Sequence, residues 1–179
     1  MHSDIKEILI SKEQIEKKAI ELGQQLNADY GGKQPILLGL LKGSIPFMGD
    51  LMKVMDIPAQ IEFMDVSSYH GGVASSGQVK ILKDLDVPVE GRHVLVVEDI
   101  VDTGFTLKKI IELLKHRGAA SVEVVTMLDK PEGRVVEMQA KYVGFTIPKA
   151  FVVGYGLDYD EFYRNLPYVG ILKEQVYMK

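Results

Sequence analysis

The sequence predicts an α/β protein built on a mainly parallel, twisted sheet flanked by helices on both faces. Short apolar runs, continuous enough to be buried on both sides, alternate along the chain with amphipathic helical patterns. Twice, over 36–55 and 93–117, such a run passes through a tight loop straight into a helix. No internal repeat or low-complexity linker interrupts the 179 residues, a length that fits one domain.

Ser11-Lys12-Glu13-Gln14 has the order of a capping box, with Ile15, Ala19, Leu22 and Leu26 following at helical spacing. This predicts a helix from Ser11 to about Asn27, ended by Gly31-Gly32. Ile36 to Leu41 predicts a buried strand. After Lys42-Gly43, Ser44 and Pro46 suit the start of a second helix reaching about Met55. Ile61 and Phe63 alternate with polar neighbours, as in a strand, whereas Ser67 to Gln78 is rich in Ser and Gly, the pattern of a long mobile loop. His93 to Val97 is the most strand-like segment, and the helix expected over Thr106 to Arg117 carries Leu107, Ile110, Ile111 and Leu114 on one stripe before Gly118. Val122 to Leu128 predicts a further buried strand, and Tyr142–Phe145, Phe151–Val153 and Val169–Leu172 predict short ones separated by Pro148 and Pro167.

With 46% hydrophobic and 26% charged residues, the chain is neither disordered nor fibrous by composition. No apolar run approaches the roughly 18 residues that span a bilayer, and Met1 to Glu7 lacks the basic-then-apolar order of a signal peptide, so a cytoplasmic protein is expected. The absence of cysteine removes disulfides, thiolate nucleophiles and cysteine-ligated zinc. A formal charge of −4 counts against a general electrostatic grip on nucleic acid and favours a small-molecule ligand. His2, His70, His93 and His116 lie in dissimilar contexts without ligand spacing, and no role is assigned to them.

The chemistry concentrates in Val94-Leu95-Val96-Val97-Glu98-Asp99-Ile100-Val101-Asp102-Thr103-Gly104-Phe105-Thr106. A buried strand here runs into acidic residues, a small-residue turn and a helix, and ligands of open α/β sheets bind at such strand ends. Free amides at the helix start, the hydroxyls of Thr103 and Thr106 and the close approach allowed by Gly104 suit a phosphate monoester. Glu98 and Asp99 suit a diol or a divalent cation. Taken singly, each residue has an ordinary explanation: Asp102 as a helix cap, Lys42 as a solvated loop lysine, Lys130 as a strand-end cation beside Asp129, Phe151 as a core aromatic and Asp158 as part of a hydrated turn.

As a run, hydrophobic strand, Glu-Asp, two-residue spacer and Asp-Thr-Gly-x-Thr resemble the signature by which type I phosphoribosyltransferases bind phosphoribosyl pyrophosphate (PRPP). The resemblance covers nearly the whole chain and is closest to the bacterial hypoxanthine-guanine phosphoribosyltransferases. Leu41-Lys42-Gly43 looks like their pyrophosphate loop, Ser68-Tyr69 like their lid motif and Leu128-Asp129-Lys130 like their purine-reading strand. Phe151 to Tyr159 and Tyr163-Arg164-Asn165-Leu166-Pro167 look like the lining of their base pocket.

The resemblance implies a single phosphoribosyltransferase domain over residues 1–179, with a small hood formed by the termini and a lid at about 66–79. The implied activity is purine salvage, transfer of 5-phosphoribose from PRPP to N9 of hypoxanthine or guanine, giving IMP or GMP and pyrophosphate. Mg²⁺ is the implied cofactor and a homodimer or homotetramer the implied assembly. Residue by residue, it places Glu98 and Asp99 on the ribose hydroxyls and near the metal, and Asp102, Thr103, Gly104, Phe105 and Thr106 on the 5-phosphate. Phe105 departs from the basic or leucine residues often found there, so the backbone is expected to carry that contact. Asp102 is also the implied acceptor of the purine N7 proton. Lys130 reads the 6-oxo group, Phe151 stacks on the base, Val152 meets it through its backbone, and Asp158 holds the metal through water beside the purine. Lys42, Gly43 and Arg164 meet pyrophosphate, with a cis peptide expected between Leu41 and Lys42. Two other functions fit the same fold: a xanthine-preferring transferase, and an RNA-binding regulator like the pyrimidine-operon attenuation proteins, which calls for a basic face.

Overall fold

A parallel strand buried on both faces needs apolar side chains throughout, and β2 (Ile36–Leu40) and the Val94–Val97 stretch of β5 (His93–Val101) meet that demand. All five residues of β2 are buried, as are Val94 to Val97 of β5. In the computed structural model, which describes residues 1–68 and 79–178, chain order runs β1 (Ile5–Ile10), α1 (Lys12–Tyr30), β2, α2 (Ile45–Val54), β3 (Gln60–Ser68), β4 (Val79–Lys83), β5 and α3 (Phe105–His116). It continues with β6 (Ser121–Asp129), β7 (Tyr142–Thr146), β8 (Val152–Val153), β9 (Val169–Leu172) and α4 (Glu174–Tyr177). The main sheet has the order β4-β3-β2-β5-β6-β7, parallel from β3 to β7, with β4 antiparallel on the edge.

Alternation along the strands divides the core. Leu37, Leu95, Val97, Val125 and Met127 pack with residues of α1 and α2, including Leu22, Leu26, Phe47 and Leu51. Ile36, Leu38, Val94, Val96, Val122 and Val124 pack with Leu107, Ile110 and Leu114 of α3 on the opposite face. The expected mainly parallel sheet, covered on both faces, is therefore present.

Ser11 and Gln14 form the capping box in full: the Ser11 hydroxyl accepts from the Gln14 amide at 3.2 Å, and the Gln14 side chain accepts from the Ser11 amide at 2.8 Å. The helix runs beyond Asn27 because Tyr30, 3% exposed, extends the buried stripe one more turn. Asn27 ties α1 to the end of α2, its side chain donating to the Val54 carbonyl at 3.4 Å and accepting from the Asp56 amide at 3.1 Å.

Four features depart from the sequence expectations. β5 continues through Glu98 and Asp99 to Val101, because Ile100 and Val101 keep their pairing with Leu128 and Asp129. Of the segment expected as a lid at about 66–79, residues 66–68 belong to β3 and Val79 to β4, paired as Val66↔Ile81, Ser67↔Lys80 and Ser68↔Val79, while 69–78, including Tyr69, lie outside the described residues. β1 and β9 pair antiparallel across almost the whole chain length, and β8 completes a second, three-stranded sheet in which both terminal segments meet. The short α4 follows. Among the described residues, no helix is long and apolar enough to cross a membrane.

Since the cap satisfies helix-end donors that otherwise lack partners, Ser11→Ala should lower stability by about 1 kcal/mol, with Ser11→Asp close to wild type. Chemical denaturation followed by circular dichroism measures both variants, and an unshifted midpoint for Ser11→Ala would show that the box contributes nothing.

Candidate functional site

Because β2, β5 and β6 run parallel and in register, their carboxyl ends open on one edge of the sheet. Three segments leave from that edge: Leu41 to Ser44, Asp102 to Thr106, and Lys130 onward.

The Leu41–Lys42 peptide is cis, as the resemblance implies. Gly43 sits where nothing larger fits, since a Cβ there would lie 1.8 Å from Asp99 Oδ2. Gly156, at φ +98, packs its own backbone against the same loop, and a Cβ on it would lie 1.9 Å from the Gly43 carbonyl oxygen. The 42–43 loop is thus held between β5 and the 154–164 segment.

Burial pushes the Glu98 carboxyl well above the usual carboxylate range, and the neighbouring charge of Asp99 adds to the effect. Asp99 is pushed up to about 6, again by burial, against the lowering effects of backbone donors, including the Ile100 amide at 2.7 Å, and of Arg164. Both residues are half-buried at the strand end, and two adjacent carboxylates there gain from a cation brought close to them. Among the described residues, no group of three or more His, Cys, Asp or Glu side chains forms a complete metal cage.

Beyond β5 lies a cleft of about 150 Å³ lined by Glu98, Ile100 and the run Val101 to Leu107. Gly104 turns the chain at φ +76 and caps α3, whose first amides open into this turn without intrahelical partners. The Thr103 hydroxyl reaches the Phe105 amide at 3.4 Å. Beside the cleft, Lys130 Nζ pairs with Asp102 Oδ2 at 2.6 Å, with the lysine side chain only 14% exposed. Lys130 is therefore not the partner of Asp129: that carboxylate is held by Arg134, whose guanidinium also donates to the Asp102 carbonyl at 2.5 Å.

On the other side, Lys42 and Arg164 converge on one carboxylate. Glu161 accepts from Lys42 at 2.6 Å and from Arg164 at 3.1 Å, and these two cations hold its carboxyl below the usual range. Arg164 also pairs with Asp158 at 3.0 Å and donates to the Gly156 carbonyl at 2.8 Å. Phe151, 40% exposed, stacks on Tyr177 with centroids 4.6 Å apart and meets Tyr159 edge-on. Val152 is buried in β8 opposite Ile171, and Ser68 ends β3.

The structure therefore groups Lys42, Gly43, Asp99, Asp158 and Arg164 on one side and Asp102 with Lys130 on the other, with Phe151 set against Tyr159 of the 154–164 segment and Tyr177 of α4. Sequence reasoning missed Glu161, Arg134, Gly133 and Gly156. Their only signal is proximity to motifs, the five-residue step from Asp129 to Arg134 and the glycine beside Tyr155, and neither reveals a partner distant in sequence.

A family model for the phosphoribosyl transferase domain matches residues 6–160. A hypoxanthine-guanine phosphoribosyltransferase of Streptococcus pneumoniae is 59% identical over 99% of this chain and 98% of its own length. Another from Lactococcus lactis is 58% identical over 98% of this chain and 95% of its own. Among solved structures, a hypoxanthine phosphoribosyltransferase from Staphylococcus aureus superimposes with a TM-score of 0.95 at 56% identity, covering 99% of this chain and 96% of that one. With a matched domain that includes the acidic strand end, the phosphate-sized cleft and the cis-peptide loop, the chain belongs to the phosphoribosyltransferase family.

Proposed function

We propose that this protein is a purine-salvage enzyme that transfers 5-phosphoribose from PRPP to N9 of hypoxanthine or guanine, releasing pyrophosphate. The observation that supports this reading most is the Asp102–Lys130 pair at 2.6 Å, one acceptor and one donor side by side next to the phosphate-sized cleft. A 6-oxopurine presents N7 and O6 on a single edge, so Asp102 accepts the ring proton while Lys130 donates to the oxygen. The relatives named above are hypoxanthine-guanine enzymes, which does not favour a xanthine-preferring transferase or an RNA-binding regulator.

The amides and hydroxyls of Thr103 to Thr106 hold the 5-phosphate, and Glu98 and Asp99 accept from the ribose hydroxyls. Breaking the bond to pyrophosphate builds positive charge on the sugar and negative charge on the leaving group. Lys42 and Arg164 stabilise that negative charge once pyrophosphate replaces Glu161 as their counter-ion. The Gly43 backbone is assigned to the same end, and Phe151 and the Val152 backbone position the purine. Glu98, Asp99 and Asp158 suit Mg²⁺, a hard cation that takes one or two carboxylates and completes its shell with substrate oxygens. Bound there with PRPP, it would spread positive charge over the departing diphosphate. Ser68 and Tyr69 are proposed to belong to the lid that keeps water from the sugar cation. A cytoplasmic homodimer or homotetramer goes with the same reading, and Ile45 and Met52, both exposed on α2, suit a subunit interface.

Three experiments test the proposal. Asp102→Asn should lower turnover by about 10²–10⁴-fold while PRPP still binds, because the amide keeps the shape but cannot take the proton; unchanged turnover removes Asp102 from the mechanism. Activity should vanish in excess chelator and return with Mg²⁺, so full activity in chelator would overturn the metal assignment. With hypoxanthine, guanine, xanthine and adenine as substrates, kcat/KM should favour the first two over adenine by up to about 10⁴-fold, and Lys130→Met should erode that preference. Comparable use of adenine by the wild type would refute the base assignment.

A further inference from the structure

Arg134 touches none of the groups assigned to substrate through a side-chain charge, yet it is bonded to both segments that carry the base-recognition pair. Its guanidinium is 15% exposed and spans two fixed acceptors, the Asp129 carboxylate and the Asp102 carbonyl oxygen, the latter at 2.5 Å. The 3-10 turn at Pro131–Gly133 brings it there: the Gly133 amide donates to the Lys130 carbonyl at 3.0 Å and the Arg134 amide to the Pro131 carbonyl at 3.1 Å. The next residue continues the brace, with the Val135 amide donating to the Thr103 carbonyl at 3.0 Å. Gly104 packs against the same segment, where a Cβ would lie 3.1 Å from Arg134 Cδ and 2.8 Å from Met138 Cγ. Gly133 lies against the working carboxylate itself, since a Cβ there would meet Asp102 Oδ1 at 1.8 Å.

These contacts close a ring. From Asp129 the chain passes through Lys130 and the turn to Arg134; Arg134 binds the Asp102 backbone, and the Asp102 carboxylate returns to Lys130 Nζ at 2.6 Å. We propose that Arg134 is a positioning residue for purine recognition, holding Asp102 and Lys130 at the separation that fits the N7–O6 edge of a 6-oxopurine. This inference rests on the roles proposed for Asp102 and Lys130 above.

Two physical consequences follow. The planar fork of arginine addresses two acceptors in one fixed geometry, which a lysine ammonium cannot reproduce. By neutralising Asp129, Arg134 also removes a carboxylate one residue away that would compete for the Lys130 ammonium. Loss of Arg134 therefore frees the Asp102 turn and offers Lys130 a second partner, leaving PRPP contacts at the α3 amides in place.

Steady-state kinetics on Arg134→Gln, Arg134→Lys and Asp129→Asn/Arg134→Gln, beside Asp102→Asn and Lys130→Met, test this. Arg134→Gln should lose about 10–100-fold in kcat/KM for hypoxanthine, as sub-ångström misplacement of reacting groups does. KM for PRPP should move far less, and the preference over adenine should narrow. Arg134→Lys should not rescue the loss, while Asp129→Asn/Arg134→Gln should recover part of it by removing the competing carboxylate. A purely structural role would lower Tm while leaving kcat and purine KM of the folded enzyme within about twofold of wild type, and that outcome overturns the inference. Should Arg134→Gln fail to fold, Arg134→Lys decides alone: wild-type purine kinetics in it overturn the proposal. If Asp102→Asn and Lys130→Met are themselves silent, the underlying functional reading fails; if they are impaired and Arg134→Gln is not, only the positioning role fails.

Discussion

Asp102 meets Lys130 because β5 and β6 keep parallel register from His93 opposite Ser121 to Val101 opposite Asp129. The next residue on each strand is then carried past the same edge of the sheet, and the Lys130 amide still donates to the Val101 carbonyl at 3.0 Å. Two side chains separated by 28 positions in sequence become neighbours through backbone pairing alone. The pairing is secure because both strands are buried on both faces, and slipping by one residue would move every apolar side chain to the wrong layer. The turn from Asp102 to Thr106 and the segment that carries Arg134 are both attached to this register.

The same edge concentrates charge from several segments of the chain. Partial burial beside one another pushes the carboxyls of Glu98 and Asp99 up, while Lys42 and Arg164 share the carboxylate of Glu161. Such an arrangement contributes little to folding: the acidic pair is held against desolvation, and the Lys42–Glu161 pair is solvent-exposed, where ion pairs are worth little. It fits the substrate proposed above, whose cation would relieve the carboxylates and whose diphosphate would give the two basic side chains a more highly charged partner. Stability and readiness for substrate are opposed here, as they commonly are at binding sites.

Glycine is the second material of the site. At 43, 133 and 156 an added methyl would fall within 2 Å of an oxygen of Asp99, Asp102 or the Gly43 carbonyl, so the acidic strand end, the turn after Lys130 and the 154–164 segment close on one another only because these side chains are missing. Close backbone approach replaces side-chain packing where a ligand must be surrounded from several directions.

Much of this was legible in the sequence for reasons of local physics. Helical spacing and a capping box specify α1, continuous apolar runs specify β2, β5 and β6, and the order of acidic, small and hydroxyl residues after β5 marks a phosphate-sized turn whatever the rest of the fold. The cis peptide at Leu41–Lys42 and the candidate residues came from motif resemblance; the fold brings Lys42, Glu98, Asp99, Asp102 and Lys130 to one edge of the main sheet, while Phe151 and Val152 lie at β8 of the second sheet and Tyr69 lies outside the described residues. Tertiary structure decided what depends on partners far apart in the chain. β1 is a strand because β9, more than 150 residues away, pairs with it, and β5 runs past its acidic residues because β6 offers partners there. Lys130 pairs with Asp102, 28 residues away, and not with its sequence neighbour Asp129, whose carboxylate pairs with Arg134. Propensity and periodicity act within a few residues, whereas the choice of counter-ion for a charge that is leaving water is made by whatever the completed fold brings within reach.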